Sequence, residues 1–363
     1  MNEGIDFVLI WVDDKDPKWI AEKNKYKSTN DIQINVQSDS EVRYRDWNNL
    51  KYWFRAVEKY APWVRKVHFV TCGQKPTWLN ENNPKLRLVN HSDYIDEKYL
   101  PTFSSHVIEL NLHKIPGLSE RFVYFNDDTF INNYVSEDDF FKGNLPRDSA
   151  ILNTVKMDRR GITHIIVNNL CVISEHFIFK KQFRENWRKW ISIKYGKEIF
   201  RTLCLLPWNR YSGFYELHIP YSYSKKTFCD VWNCESEYLS QVCEHKFRDD
   251  KDVNQWLMRY WQIASGYFEP RSPNFGKMYD VGENMGSIIN DINKGIHKTI
   301  CINDSEQLKD FEGAKRKIAT VYKGNIIKNL IMDCPAYTKY RPNETTGGIF
   351  VSWRRKEELP TGA

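Results

Sequence analysis

Two adjacent carboxylates, Asp127 and Asp128, end the apolar run 122–125 in RFVYFNDDTFIN. Like charges that close repel and raise each other's pKa, so a fold tolerates them best with a positive charge between them. Hard carboxylate oxygens at a strand end suit Mg2+ or Mn2+ gripping a diphosphate. Asp-Asp is also an ordinary solvated turn. The pattern recurs: Asp13-Asp14 closes the apolar run 5–12, and Asn303-Asp304 closes another in TICINDS. Arg43, Arg45 and Asp46 precede a helical pattern. Arginine's fork suits phosphate, while Asp46 reads equally well as a helix N-cap. His218, in LHIPYSYSK, is a general-base candidate because imidazole titrates near neutrality, although a lone histidine is more often structural. Arg248 lies in the charge-rich HKFRDDKDVNQW, a stretch that otherwise reads as a solvated face. Each signal is weak alone. Their sum is an α/β enzyme transferring a phosphoryl or glycosyl group from a metal-bound nucleotide.

The elements that must position these groups are legible in the first 130 residues. Apolar runs at 5–12, 66–71, 86–89 and 122–125 predict strands. Leu50, Trp53, Phe54, Val57 and Tyr60 fall at helical spacing within 47–61, and a second helix is predicted over 104–113. This β-α-β-β-α-β order predicts an α/β fold with a Rossmann-like, mainly parallel sheet. In such sheets ligands sit beyond the strand carboxyl ends, which puts Asp13-Asp14 and Asp127-Asp128 on one rim. Residues 175–211 and 235–265 read as helical, the latter with Val253, Trp256, Leu257, Tyr260 and Trp261 on one face. The expected organisation is one catalytic unit over 1–340, followed by a tail over 341–363. Within that unit, 1–160 form the nucleotide-sugar half, 161–270 a helical insertion and 271–340 a return to the core.

The bulk composition narrows the classes. At 363 residues the chain can bury a substantial core. A net charge of +6 suits an anionic ligand or membrane face, and no nucleic-acid motif stands out, so no nucleic-acid partner is expected. The eight cysteines contain no C-x-x-C pair, which argues against structural zinc and for a reducing compartment. The N-terminal sequence does not read as a signal peptide, and no apolar run is long enough to span a bilayer. The expected location is therefore cytoplasmic. Residues 177–211 mix Trp and Phe with Lys and Arg. Such a segment either packs its tryptophans into the core, the favoured reading, or rests peripherally on the inner face of the plasma membrane.

Read together, the motifs resemble the Stealth family of sugar-phosphate transferases, which includes bacterial capsular and exopolysaccharide phosphotransferases and the animal enzyme that adds GlcNAc-1-phosphate to lysosomal glycoproteins. Four blocks carry the likeness, in the family's order. They are IDFVLIWVDDKDPKW (5–19), a long block from RYRDWNNLKYWF at 43 to FNDDTFI at 131, LHIPYSYSK with CEHKFRDDKDVNQWLMRYWQ, and ICINDS (300–305).

The resemblance implies attack by an acceptor hydroxyl on the β-phosphorus of a UDP-sugar. Sugar-1-phosphate moves whole and UMP leaves. It implies Asp127, Asp128 and Asp304 as holders of Mg2+ or Mn2+, with Asp128 also catalytic. It implies His218 as general base, Arg248 as stabiliser of the phosphoryl group, and Trp11, Asp13, Asp14, Arg45, Asp46 and Asn126 as the lining of the donor pocket. A glycan or lipid-linked oligosaccharide is the implied acceptor. One departure is that the animal enzyme has Asn-Gly where this chain has Asp13-Asp14, which points to the backbone of that loop rather than its carboxylates. The competing readings are a metal-dependent glycosyltransferase that releases UDP and a non-catalytic carbohydrate-binding assembly protein.

Overall fold

The computed structural model describes residues 4–29, 47–159, 162–304, 308 and 310–327. The chain begins with β1 (Asp6–Ile10), α1 (Pro17–Thr29), α2 (Leu50–Tyr60), β2 (Val67–Thr71), β3 (Leu86–Asn90), α3 (Ser105–Leu110), β4 (Arg121–Phe125) and β5 (Thr129–Ile131). It continues with α4 (Glu137–Phe140), β6 (Phe141–Lys142), β7 (Leu145–Asp148), α5 (Thr163–His176), α6 (Phe179–Trp190) and α7 (Ile199–Leu205). Then come β8 (Tyr221–Ser224), α8 (Lys225–Cys234), α9 (Ser236–Glu244), α10 (Trp256–Ala264) and β9 (Glu269–Pro270). The last described elements are β10 (Gly276–Asp280), α11 (Val281–Lys294), β11 (Thr299–Asn303) and α12 (Phe311–Tyr322).

The central sheet has the order β3-β2-β1-β4-β8. Its first four strands are parallel, and β8 runs antiparallel to β4 at the edge. Phe7, Val8 and Leu9 are fully buried, so both faces of β1 are covered, as a central parallel strand requires. On one face Phe7 meets Trp63, Phe125 and Phe140 at ring distances of 4.9–5.7 Å. Burial of such a side chain stabilises by about 1.5–3 kcal/mol. A second sheet, β10-β11-β5, carries the strand that follows Asp128, and β6, β7 and β9 form a third. The expected mainly parallel α/β sheet with inserted helices is what the chain adopts.

Several local expectations are corrected. Helix α1 was not expected, because PKWIAEKNKYKST buries little besides Trp19 and Lys23 and so has no apolar stripe to read. Helix α2 begins at Leu50 with Asn49 at its N-cap position, and Asp46 lies outside the described residues. The helix expected over 104–113 is α3 followed by a short 3-10 turn over Leu112–Lys114. The stretch 235–265 breaks into α9, a loop and α10. Every residue of α10 is buried, so the expected single apolar face does not exist, and Val253 precedes the helix. The aromatics of 177–211 divide: Trp190 is fully buried and Trp187 is half exposed. The seven described cysteines are free. Among the described residues, no helix is long and apolar enough to cross a membrane.

The amino end of the sheet is fastened by a buried carboxylate. Asp6 accepts hydrogen bonds from Arg65 Nε (2.8 Å), from the backbone N–H of Ser119 (2.9 Å) and across 2.9 Å from His68 Nε2. Burial pushes the Asp6 carboxyl up, but the bonds from His68 and Arg65 outweigh it and its pKa lies below the usual value. A depressed carboxyl pKa contributes stability above the unfolded-state value near 4 and loses it as pH falls through the folded-state value. Asp6→Asn is therefore expected to cost about 1–3 kcal/mol at neutral pH. The gap from the parent should close progressively below about pH 4. Thermal melts across pH check this, and a constant gap down to acid would contradict the charge-based origin.

Candidate functional site

Topology gathers the candidate groups. β1 and β4 are neighbours and parallel, so Trp11, Asp13 and Asp14 after β1 share a rim with Asn126, Asp127 and Asp128 after β4. β8 is antiparallel to β4 with Tyr221 opposite Tyr124, so the residues just before β8 also lie over that rim. This is where His218 sits, with φ of 46° in the left-handed region that non-glycine residues seldom occupy. From the second sheet, Cys301 pairs across from Thr129, and the N–H of Ile302 donates to the Asp128 carbonyl at 2.9 Å. Asp304 lies two residues further along that chain, at the same end of the ladder.

Two of the predicted residues, His218 and Asp128, meet directly. Nε2 lies 3.1 Å from Oδ2, across 90 residues of sequence. Both side chains are about 30% exposed, at 30% and 28%, so the pair is protected yet reachable. The Cys301 thiol donates to the same oxygen at 3.3 Å. Burial pushes the Asp128 carboxyl up, but the charge and hydrogen bond of His218, together with the Cys301 thiol, bring it below its ordinary value. Burial pushes the His218 ring down, but Asp128 outweighs it, helped by Glu216 and Glu109, and its pKa is raised. Burial first, then Asp128, pushes the Cys301 thiol well up.

Asp128, His218 and Cys301 place one ligand atom each within 4.8 Å of one another. That mixed set of oxygen, imidazole and sulfur suits a softer ion than Mg2+. The carboxylates suit a hard ion better. Asp128 Oδ1 is buried with no hydrogen-bond partner among the described residues, a costly state for an ionised oxygen and one that a cation relieves.

Other predicted residues are held by partners that sequence reasoning missed. Gln74, in the loop after β2, clamps the loop after β1. Its Oε1 accepts from Asp13 N (2.8 Å), and its Nε2 donates to Asp13 O (2.9 Å) and Asp16 Oδ2 (3.1 Å). The Asp13 carboxylate is turned to the N–H of Lys15. Trp11 is half-buried and stacks on Phe69 at 5.6 Å. Asn126 Oδ1 lies 2.7 Å from the Tyr124 hydroxyl, which also reaches Glu109 at 3.1 Å. Arg248 is not in contact with the His218–Asp128 pair. Its Nη2 donates to Ser105 Oγ at 2.6 Å, one turn of α3 before Glu109. The Arg248 loop is fixed by Asp252, which bridges His106 (2.8 Å) and His245 (2.6 Å). Arg45 and Asp46 lie outside the described residues.

Also missed was the network beneath His218. Arg259, fully buried in α10, holds Asp148 through Nε (2.7 Å) and Nη2 (3.0 Å), and Glu216 through Nη1 (2.8 and 2.9 Å). Tyr260 donates to Glu216 at 2.7 Å. The available signal was an arginine inside WLMRYWQIA, since a charge in a helix that is apolar all round requires buried partners.

The sheet places the chain in the α/β class, with carboxylates and a histidine gathered at its strand carboxyl ends. Residues 43–148 match the family model described as Stealth protein CR2, conserved region 2. A capsular polysaccharide phosphotransferase, WcwK of Streptococcus pneumoniae, is 46% identical over 313 residues, 86% of this chain and 93% of that protein. The exopolysaccharide phosphotransferase cps2G of Lactiplantibacillus plantarum is 40% identical over 89% of this chain and 94% of its own length. The receptor polysaccharide phosphotransferase WefC of Streptococcus gordonii is 40% identical over 86% and 93%. Among solved structures, the galactosyltransferase LgtC aligns over 92% of this chain at 10% identity with a TM-score of 0.37, below the level at which two folds are shown to be the same. The chain belongs to the Stealth family of phosphotransferases, and it is an enzyme.

Proposed function

We propose that the enzyme transfers a sugar-1-phosphate from a UDP-sugar to a hydroxyl of a glycan acceptor, forming a phosphodiester and releasing UMP, in capsular or exopolysaccharide synthesis. The observation that carries this reading is the His218–Asp128 pair on the strand-end rim, 3.1 Å apart, with the second Asp128 oxygen buried and unpartnered. With Nε2 turned to Asp128, Nδ1 of His218 is the nitrogen left to take the acceptor's proton. The acceptor oxygen then bonds to the β-phosphorus as the bridging P–O bond to UMP breaks. General-base assistance of this kind is worth about 10²–10⁴-fold. Asp128, Asp127 and Asp304 would hold Mg2+ or Mn2+, which when bound neutralises diphosphate oxygens. Arg248, tethered to Ser105 near the start of α3, would stabilise charge on the transferring phosphoryl group. The Trp11–Asp14 loop receives the donor, and the Gln74 clamp on its backbone explains how the loop keeps its shape whatever its carboxylates do.

The test is nucleotide release. Purified enzyme is incubated with Mg2+, a panel of UDP-sugars and a crude glycan or lipid-linked acceptor. UMP is the expected product, lost on chelation and in His218→Ala. UDP in its place would identify a conventional glycosyltransferase and remove His218 from phosphorus chemistry.

A further inference from the structure

Residues 178–210 contain nine Lys and Arg against two Glu, a net charge of +7 in a chain whose total is +6. The same short stretch holds six of the twelve large exposed hydrophobic residues described for the chain: Ile178, Trp187, Ile193, Phe200, Leu203 and Trp208. Ile193 is 95% exposed, Phe200 65% and Trp208 62%.

These side chains are not displaced core residues, because the segment already supplies its own core. Phe179 and Trp190 are buried and meet Tyr211 and, through Trp190, Phe214 at ring distances of 5.1–6.5 Å. Thr202, on the inner side of α7, accepts a hydrogen bond from Leu152 N at 3.0 Å, which leaves Phe200 and Leu203 outward. Gly196 and Asn209 take positive φ and turn the chain sharply, so Ile193 and Trp208 stand near bends. The cations are largely uncommitted. Arg201 pairs with Glu198 and Lys194 reaches Glu269, whereas Lys180, Lys181, Arg184, Lys197 and Arg210 make no ion pair among the described residues.

We propose that this face is a peripheral docking surface for an anionic lipid bilayer. Apolar side chains projecting from helices and bends suit a fluid apolar phase, and tryptophan favours the headgroup boundary. Unpaired lysine and arginine around them match anionic headgroups, and their attraction is screened by salt. Outside this segment the chain's charge is −1 by difference, so the segment carries the chain's net positive charge.

The experiment is flotation of the whole protein with vesicles of phosphatidylcholine alone or mixed with phosphatidylglycerol. Binding is expected on the mixed vesicles, falling with added salt. Phe200→Ser combined with Trp208→Ser should weaken it by about tenfold or more at low salt, with unchanged circular dichroism and melting. Replacing Lys180 and Lys181 by Glu should remove the preference for the anionic vesicles. No binding to either vesicle, equal binding to both, or binding indifferent to the Phe200/Trp208 change would overturn the assignment. Self-association through the face in place of vesicle binding would also overturn it.

Discussion

Asp128→Asn is expected to abolish transfer, lowering turnover by about 10³-fold or more, while the protein melts close to the parent. Asparagine keeps the shape and an acceptor oxygen, but it removes the charge at a half-buried carboxylate whose buried Oδ1 has no partner among the described residues. It also removes the anion against which His218 is held. The fold should survive because the local ladder runs through backbone, from Ile302 N to the Asp128 carbonyl. The informative comparison is UMP release beside a thermal melt. Near-parent turnover in a well-folded variant would remove Asp128 from the chemistry. Low turnover with a collapsed melt would show a structural role instead.

Arg259→Met is expected to cost about 3–5 kcal/mol of stability at neutral pH. Two carboxylates, Asp148 and Glu216, face this one guanidinium in the interior, and the Tyr221 ring lies 4.6 Å from its Cζ. Methionine fills much of the volume but leaves both charges uncompensated. Lysine, a single point charge, cannot reproduce the two-sided fork, so Arg259→Lys should fall between the two. The pH dependence has a definite sign. Burial already pushes the Glu216 carboxyl up despite Arg259. A carboxyl raised above its unfolded value is stabilising when protonated and loses that contribution as pH rises. The deficit of Arg259→Met should therefore be smallest at the acid end and grow as pH rises through the carboxylate range. Denaturant melts at several pH values would show this, and a variant as stable as the parent would contradict the account. Glu216 precedes His218 by two residues, so turnover of Arg259→Lys should fall even where the variant is fully folded.

What could be read from the sequence followed physical rules about locality. The four parallel strands were legible because each is a short apolar run, buried on both faces in β1, β2 and β4, and the carboxylates ending β1, β4 and β11 were legible because the charge change is abrupt. The rim followed from strand polarity alone. Helix α1 was hidden because it buries little and so leaves no periodic trace. The splitting of 235–265 was hidden because α10 is apolar on every side. The meeting of His218 with Asp128 could not come from spacing, since 90 residues intervene. It was reached through motif likeness, which named both residues but not their bond. Gln74 and Arg259 escaped notice because their work is to hold other residues, and a tether of that sort has no local pattern.

The pairing of β5 with β11 bears on when the molecule becomes competent. Asp128 and Cys301 touch across 173 positions of chain, and synthesis proceeds from the amino end. A growing chain that has already assembled β1 to β4 carries its acidic rim with no strand beside it and no histidine over it. Contacts so distant in sequence also close late when the whole chain refolds, because the intervening loop must first be ordered. The pocket around Asp128 is therefore complete only once Cys301 has been made and β11 laid against β5.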